Sequence, residues 1–279
     1  MTMLIIGLGN AGRRHARNAI ALGAEVIGYD VRPVPMAGVV RVSSLAQGLA
    51  LRPDAAVVAT PPEDHFKTVL ECLGARIPTL VEKPLATNLA DGHVLHALAN
   101  KLDVRLAVAY QLRFHDGLRA MRDELRRQRG CPVRGVIACY AAMKDWPPCT
   151  YSRDVLMEFS HELDLLCFLF DATLSVKVMP LSRSQNDWTK YHLFVESTDR
   201  CYKVDLWLDS APIMVCRYVR LYIAVQAWSW DFEEAANEAA YRLELEAFLA
   251  GGHLSDGLGA LRLVEAARLS AVTGKWEEA

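Results

Sequence analysis

Lys83 and His161 are the side chains in this sequence whose type and setting could move charge on a bound molecule. Lys83 stands in Val81-Glu82-Lys83-Pro84, directly after the apolar run Thr79-Leu80-Val81. An ammonium at the end of a strand can hold a hydroxyl and stabilise negative charge that develops on its oxygen. Pro84 stiffens the loop and suits a cis bond. Taken alone, such a triplet also describes a surface turn. His161 lies in the segment from Asp154 to Phe170, whose apolar residues follow helical spacing. Imidazole titrates near neutrality and can act as an acid or a base. A single histidine on an apolar helix is equally a hydrogen-bonded core residue. Glu158, His161 and Asp164 recur every three positions, so they share one broad face. Polar groups there need partners. His161-Glu162 begins a zinc-protease pattern, but Leu165 occupies the place of the second histidine. The scattered cysteines form no metal pattern either, and no metal is expected.

A third stretch could bind rather than react. Gly7-Leu8-Gly9-Asn10-Ala11-Gly12 follows the apolar run Thr2 to Ile6 and precedes a segment able to form a helix, Arg13 to Ile20. Gly7 permits a tight turn, Gly9 lets backbone approach a pyrophosphate, and Gly12 lets helix and strand pack closely. The first N–H groups of the helix, at Asn10, Ala11 and Gly12, then face the phosphates. A second strand signal, Ala24 to Tyr29, ends at Asp30. That acid lies about 20 residues beyond the glycines, as expected of one that binds the adenosine ribose hydroxyls. A carboxylate there repels a 2′-phosphate and favours NAD. Arg32 leaves NADP open, because a guanidinium can stack on adenine or pair with that phosphate.

Positioning these groups requires a particular frame. Strand signals at Ala24–Tyr29, Asp54–Ala59, Thr79–Val81 and Val104–Ala109 alternate with helix signals, including one capped by Asn88. This predicts a parallel sheet with right-handed crossovers. Ligands of such sheets bind at the carboxyl ends of the strands, so Gly9, Asp30, Thr60, Lys83 and Gln111 should share one edge. A helix is predicted from Phe114 to Arg129, and the pattern then changes. A strand from Val133 and four or five more between Ser175 and Trp230 predict a mainly antiparallel sheet. The expected organisation is α/β: a Rossmann domain over 1–112, followed by an α+β substrate-binding and oligomerisation domain over 113–279. Two apolar helices close the chain.

These motifs together resemble the Gfo/Idh/MocA oxidoreductase family. The resemblance is carried by Gly7 to Gly12, by Ala59-Thr60-Pro61-Pro62-Glu63-Asp64-His65, by Val81 to Ala86, and by Gln111-Leu112-Arg113-Phe114-His115, in that order. It implies that Lys83 is catalytic, that Thr60 and His65 lie near the nicotinamide half of the cofactor, and that Pro61, Glu82 and Lys83 also contact the cofactor. The helix through His161 resembles the family's D-x-G-x-H-x-x-D segment, with Glu158 as the first acid, His161 as the general acid/base and Asp164 as the last acid. Gln111 and Arg113 would join Glu158 and Asp164 around the substrate. There are two departures: Ser160 replaces the glycine, and Thr150-Tyr151-Ser152-Arg153 replaces a glycine-rich approach. The loop Lys144 to Pro148 could supply a substrate wall through Trp146.

The implied activity is hydride transfer between NAD, less readily NADP, and a sugar, sugar derivative or polyol. The Ser160 to Asp164 segment most resembles members from bacterial cell-surface sugar pathways. Two alternatives stand: a dinucleotide- or sugar-sensing protein without chemistry, and an NAD-dependent glycosidase of the same fold. A net charge of −2 over 279 residues provides no field for nucleic acid or anionic membrane. The apolar runs are too short to span a bilayer, and Met1-Thr2-Met3 lacks a basic leader, so a cytoplasmic location is expected. An exposed antiparallel sheet face predicts a homodimer or homotetramer.

Overall fold

The computed structural model describes residues 1–140, 154–183, 188–199, 201–209, 216–223 and 226–279. The chain divides into two compact units, 1–111 with 238–258 and 112–237 with 259–279.

The first unit follows the predicted alternation: β1 (Thr2–Ile6), α1 (Asn10–Ala21), β2 (Glu25–Tyr29), β3 (Val39–Arg41), α2 (Leu45–Ala50), β4 (Ala55–Val58), α3 (Pro62–Gly74), β5 (Thr79–Glu82), α4 (Leu89–Leu102) and β6 (Leu106–Ala109). The strands form one parallel sheet in the order β3-β2-β1-β4-β5-β6. β1 and β4 read as continuous apolar runs because both of their faces are covered, and Met3, Leu4 and Ile5 are fully buried. Each such side chain contributes about 2 kcal/mol. The Asn88 side chain accepts the Asp91 N–H at 2.8 Å and starts α4, as its residue type predicts.

The second unit contains α5 (Asp116–Arg127), β7 (Val133–Tyr140), α6 (Val155–Glu158), α7 (Ser160–Leu169), β8 (Leu174–Arg183), β9 (Trp188–Ser197), β10 (Tyr202–Asp209), β11 (Cys216–Ile223) and β12 (Gln226–Asp231). After them come α8 (Glu234–Leu249), α9 (Leu258–Thr273) and β13 (Glu277–Glu278). Its seven-stranded sheet runs β12-β11-β7-β10-β9-β8-β13. Pairing is antiparallel except between β7 and β10, which are parallel. Alternate residues of β10 (Val204, Leu206, Leu208) are buried, while Lys203 is exposed, which gives the sheet one packed face and one open face.

Three elements differ from the sequence reading. The helix expected over Phe114–Arg129 is a 3-10 turn, Gln111–Phe114, then α5, because His115 takes extended dihedrals between them. The single helix expected over Asp154–Phe170 is two, separated at Phe159 (φ −87°, ψ 28°). Residues 238–258, which the apolar pattern groups with 113–279, belong to the first unit: the Val108 N–H donates to Ser255 O at 2.9 Å, and a Cβ on Gly257 would press on Val108.

Candidate active site

The glycine-rich turn has the shape its spacing predicts. Gly7 adopts φ +89° and donates its N–H to Tyr29 O at 2.8 Å. A Cβ on Gly12 would run into the Gly7 carbonyl oxygen, and one on Gly7 would strike the Ala59 backbone. Around Gly9, by contrast, a Cβ would meet nothing within 4 Å. Gly9 is the N-cap of α1 and has no side chain with which to cap it, so the first N–H groups, at Asn10, Ala11 and Gly12, have no intrahelical partner. Open space in front of a donor-rich helix start is the form of a phosphate cradle. Gly12→Ala is expected to raise the NADH dissociation constant at least about tenfold and to cost roughly 1–3 kcal/mol of stability from overpacking. Fluorescence titration and thermal melts measure the two effects.

Asp30 follows β2 and is buried, with one carboxylate oxygen accepting the Leu8 N–H and the other the Arg32 N–H, each at 2.8 Å. Burial pushes this carboxyl up, but the two backbone N–H groups and the Arg32 side chain outweigh it, so its pKa is lowered. Oδ2, which among the described residues accepts only the Leu8 N–H, keeps a lone pair able to accept from a ribose hydroxyl, whereas Oδ1 also takes the Arg32 Nε–H. The exposed Arg32 guanidinium folds back to 3.4 Å from Asp30. Thr60, at the end of β4, has its hydroxyl oxygen shut off from solvent with no hydrogen-bond partner among the described residues. Pro61 caps α3 beside it. The cradle, the ribose acid and this orphan hydroxyl together fit a dinucleotide.

Lys83 follows β5 on the same carboxyl edge, with a cis Lys83–Pro84 peptide. Two neighbours expected against the cofactor are occupied otherwise. His65 is fully buried, and its ring nitrogens lie 2.7 Å from Pro84 O and 2.9 Å from Thr60 O. Desolvation lowers its pKa against the pull of those two carbonyls. His65 therefore ties the β4 and β5 loops together. Glu82 bonds His15 Nε2 at 2.8 Å through Oε1 and accepts the Lys83 N–H at 3.2 Å through Oε2.

Among the site residues of the second unit, Glu158 ends α6 and His161 is the second residue of α7, with Phe159 between the two helices. Both are buried, at 3% and 8% exposure. Arg113 and Asp164, each expected to bind substrate, bind one another in a two-pronged pair at 2.7 and 2.7 Å. The Arg113 guanidinium also lies over the Phe168 ring. Asp164→Asn removes the negative charge from that buried pair and is expected to cost about 3 kcal/mol. This amounts to a fall of roughly 10 °C in Tm. Gln111 is buried in the 3-10 turn, at the boundary of the first unit. Trp146, Lys144 and the Thr150–Arg153 approach lie outside the described residues.

Sequence reasoning missed two partners. His15 lies one turn beyond Gly12, and the buried set Gly12, His15, Ala16 and Ala19 marks the inward face of α1, a signal present in the sequence. Arg217 lies 2.7 Å from the buried Glu162, next to His161 in sequence, and no local pattern announces that pair. Among the described residues no cluster of His, Cys, Asp or Glu could hold a metal, and no helix is long and apolar enough to cross a membrane.

Residues 1–110 match the sequence model of GFO_IDH_MocA, described as an oxidoreductase family with an NAD-binding Rossmann fold. The N-terminal domain belongs to the Gfo/Idh/MocA oxidoreductase family. Over part of its length the chain is similar to two inositol 2-dehydrogenases. That of Mycolicibacterium vanbaalenii is 33% identical over 147 residues, 50% of this chain and 41% of the relative. That of Acidothermus cellulolyticus is 32% identical over 185 residues, 61% of this chain and 53% of the relative. The matches thus span about half the length of these relatives. A probable dehydrogenase from Thermotoga maritima superposes with a TM-score of 0.86 at 18% identity, covering 100% of this chain and 98% of that one, which shows a shared fold.

Proposed function

We propose that this chain is an NAD-dependent oxidoreductase acting on a CH–OH group of a polyol, sugar or sugar derivative. The observation that carries the reading is the shared carboxyl edge of one parallel sheet. The open glycine cradle, buried Asp30 and Lys83 all follow strands β1, β2 and β5 there. The names of the relatives point to a cyclic polyol. Asn10, Ala11 and Gly12 would hold the pyrophosphate and Asp30 the ribose hydroxyls, with Thr60 on the nicotinamide side. When bound, the nicotinamide accepts or supplies the hydride at C4. Lys83 holds the substrate oxygen and stabilises charge on it. His161 takes the hydroxyl proton in oxidation and returns it in reduction. Glu158 remains a candidate substrate ligand, whereas Arg113 and Asp164 are assigned to holding α7 in place. NAD is preferred over NADP because a buried, ionised Asp30 opposes a 2′-phosphate.

The open sheet face of the second unit carries Trp207 stacked on His192 at 3.8 Å, with exposed Met179 and Tyr222. We assign this face to a second copy of the chain, giving a homodimer or homotetramer. No disulfide joins the six described cysteines, which supports a reducing, cytoplasmic setting.

The test is absorbance at the NADH band with NAD and NADP in parallel, against inositols, other polyols and nucleotide sugars. Reduction of NAD by at least one polyol or sugar is expected. Binding of NADH without hydride transfer to or from any member would favour a sensor and overturn the reading.

A further inference from the structure

The strongest arrangement not used by the proposed chemistry lies behind Lys83. His15 is completely buried on α1, the helix that opens at the glycine cradle. Its Nε2 is 2.8 Å from Glu82 Oε1. An ionised carboxylate can only accept, so His15 must donate through Nε2. The Tyr241 ring meets His15 edge-on, 6.1 Å between centroids at 86°, and holds it in that orientation. The other oxygen of Glu82 accepts the backbone N–H of Lys83 at 3.2 Å. Glu82 is thus a two-sided connector: one oxygen is gripped by the helix of the phosphate cradle, and the other fixes the backbone from which the Lys83 side chain departs.

We propose that His15 is a positioning residue for Lys83, acting through Glu82. The inference rests on the proposed function for its consequence in turnover, but the arrangement itself can be tested without a substrate. Burial pushes the Glu82 carboxyl up, and the hydrogen bond from His15, with the charges of His15 on α1, Lys83 on its own loop and His65 on α3, brings it below its ordinary value. Without the His15 bond, desolvation is less opposed and Glu82 protonates at higher pH. Glu82 without its His15 partner is less fixed, and the Lys83 backbone that it holds is freer to move.

Reductive methylation of Lys83 at pH 8 in the full-length chain, read by peptide mass spectrometry, supplies the first measurement. The rate reads how freely the Lys83 side chain meets the reagent, which the backbone hydrogen bond to Glu82 restricts. Labelling of Lys83 is expected to speed up about threefold or more in folded His15→Ala and Glu82→Gln. His15→Gln, which keeps an N–H donor on a side chain of similar reach, should label at close to the wild-type rate. If His15→Ala does not fold, Glu82→Gln and His15→Gln carry the comparison. A wild-type labelling rate in Glu82→Gln, or a His15→Gln rate as high as that of Glu82→Gln, overturns the inference.

With a turning-over substrate, His15→Ala should lose about tenfold to a hundredfold in kcat, as expected of a displaced catalytic group. KM and NADH affinity should hold within about threefold, since uniform binding is untouched. The acid limb of kcat should move to higher pH in His15→Ala and not in His15→Gln. A purely structural role would lower Tm without moving that limb. Absence of turnover in the wild type with every polyol and sugar would overturn the proposed function and leave the labelling result to decide the role of His15.

Discussion

Lys83→Ala is expected to lower kcat by about a thousandfold, with NADH affinity within roughly threefold of wild type. The ammonium interacts most strongly when negative charge has developed on the substrate oxygen, so its loss falls on the transition state and not on cofactor binding. The glycine-rich turn Gly7 to Gly12 and Asp30, proposed to hold the ribose, are unaffected by the substitution, because they stand at β1, α1 and β2. Lys83→Arg should recover little. It restores the charge but replaces a compact point donor with a planar fork that places its hydrogens elsewhere. Steady-state kinetics with the substrate found in the panel, beside NADH fluorescence titration, make the comparison. Retention of more than about a tenth of wild-type kcat in Lys83→Ala would remove the lysine from the chemistry.

His161→Ala is the second large effect, with kcat expected to fall by roughly 10²- to 10⁴-fold, the range for loss of a general acid or base. The pH profile is the sharper readout. In the wild type, kcat/KM should carry an ionisation that the variant lacks, and added imidazole should restore part of the rate. An unchanged profile in His161→Ala would make His161 a core residue, the reading its burial also permits. The structure narrows the comparison variants. Asp164, three residues on, is held by Arg113, and Glu162, the next residue, lies against Arg217. Substitutions at either position should act on stability before they act on proton transfer.

How much of this is legible in the sequence depends on the distance over which each feature is decided. Gly7 to Gly12 announces its own geometry because the turn, the close approach and the helix start fall within six consecutive residues. The apolar runs of β1, β4 and β5 announce a parallel sheet because a strand buried on both faces can hardly be anything else. The sheet alone assigns Asp30, Thr60 and Lys83 to one edge, and they lie on it. The resemblance to a known family adds roles to those positions, and the match over residues 1–110 agrees with the family.

Other features are decided only by the tertiary structure. Glu82 and His15 are 67 residues apart, and Arg113 and Asp164 are 51 apart. Spacing along a chain says nothing about which charge will compensate which. Sequence reasoning makes Arg113 and Asp164 ligands for a substrate, and only the structure shows that they also pair with one another. The cost of burying an unpaired charge makes that pairing nearly obligatory once the fold brings them close. The family resemblance implies that His65 lies near the nicotinamide half of the cofactor, and only the structure shows that its ring nitrogens bond the Thr60 and Pro84 carbonyls. The apolar stripe of α8 shows that it must be buried but not against which sheet, since hydrophobicity has no direction. By itself the sequence determined a glycine-rich turn, an acid and a lysine on one sheet edge, because local backbone geometry and periodicity are short-range properties. Which polar side chains remain for a ligand, and which are already held by the protein, was settled only when distant segments packed and each buried charge found its partner.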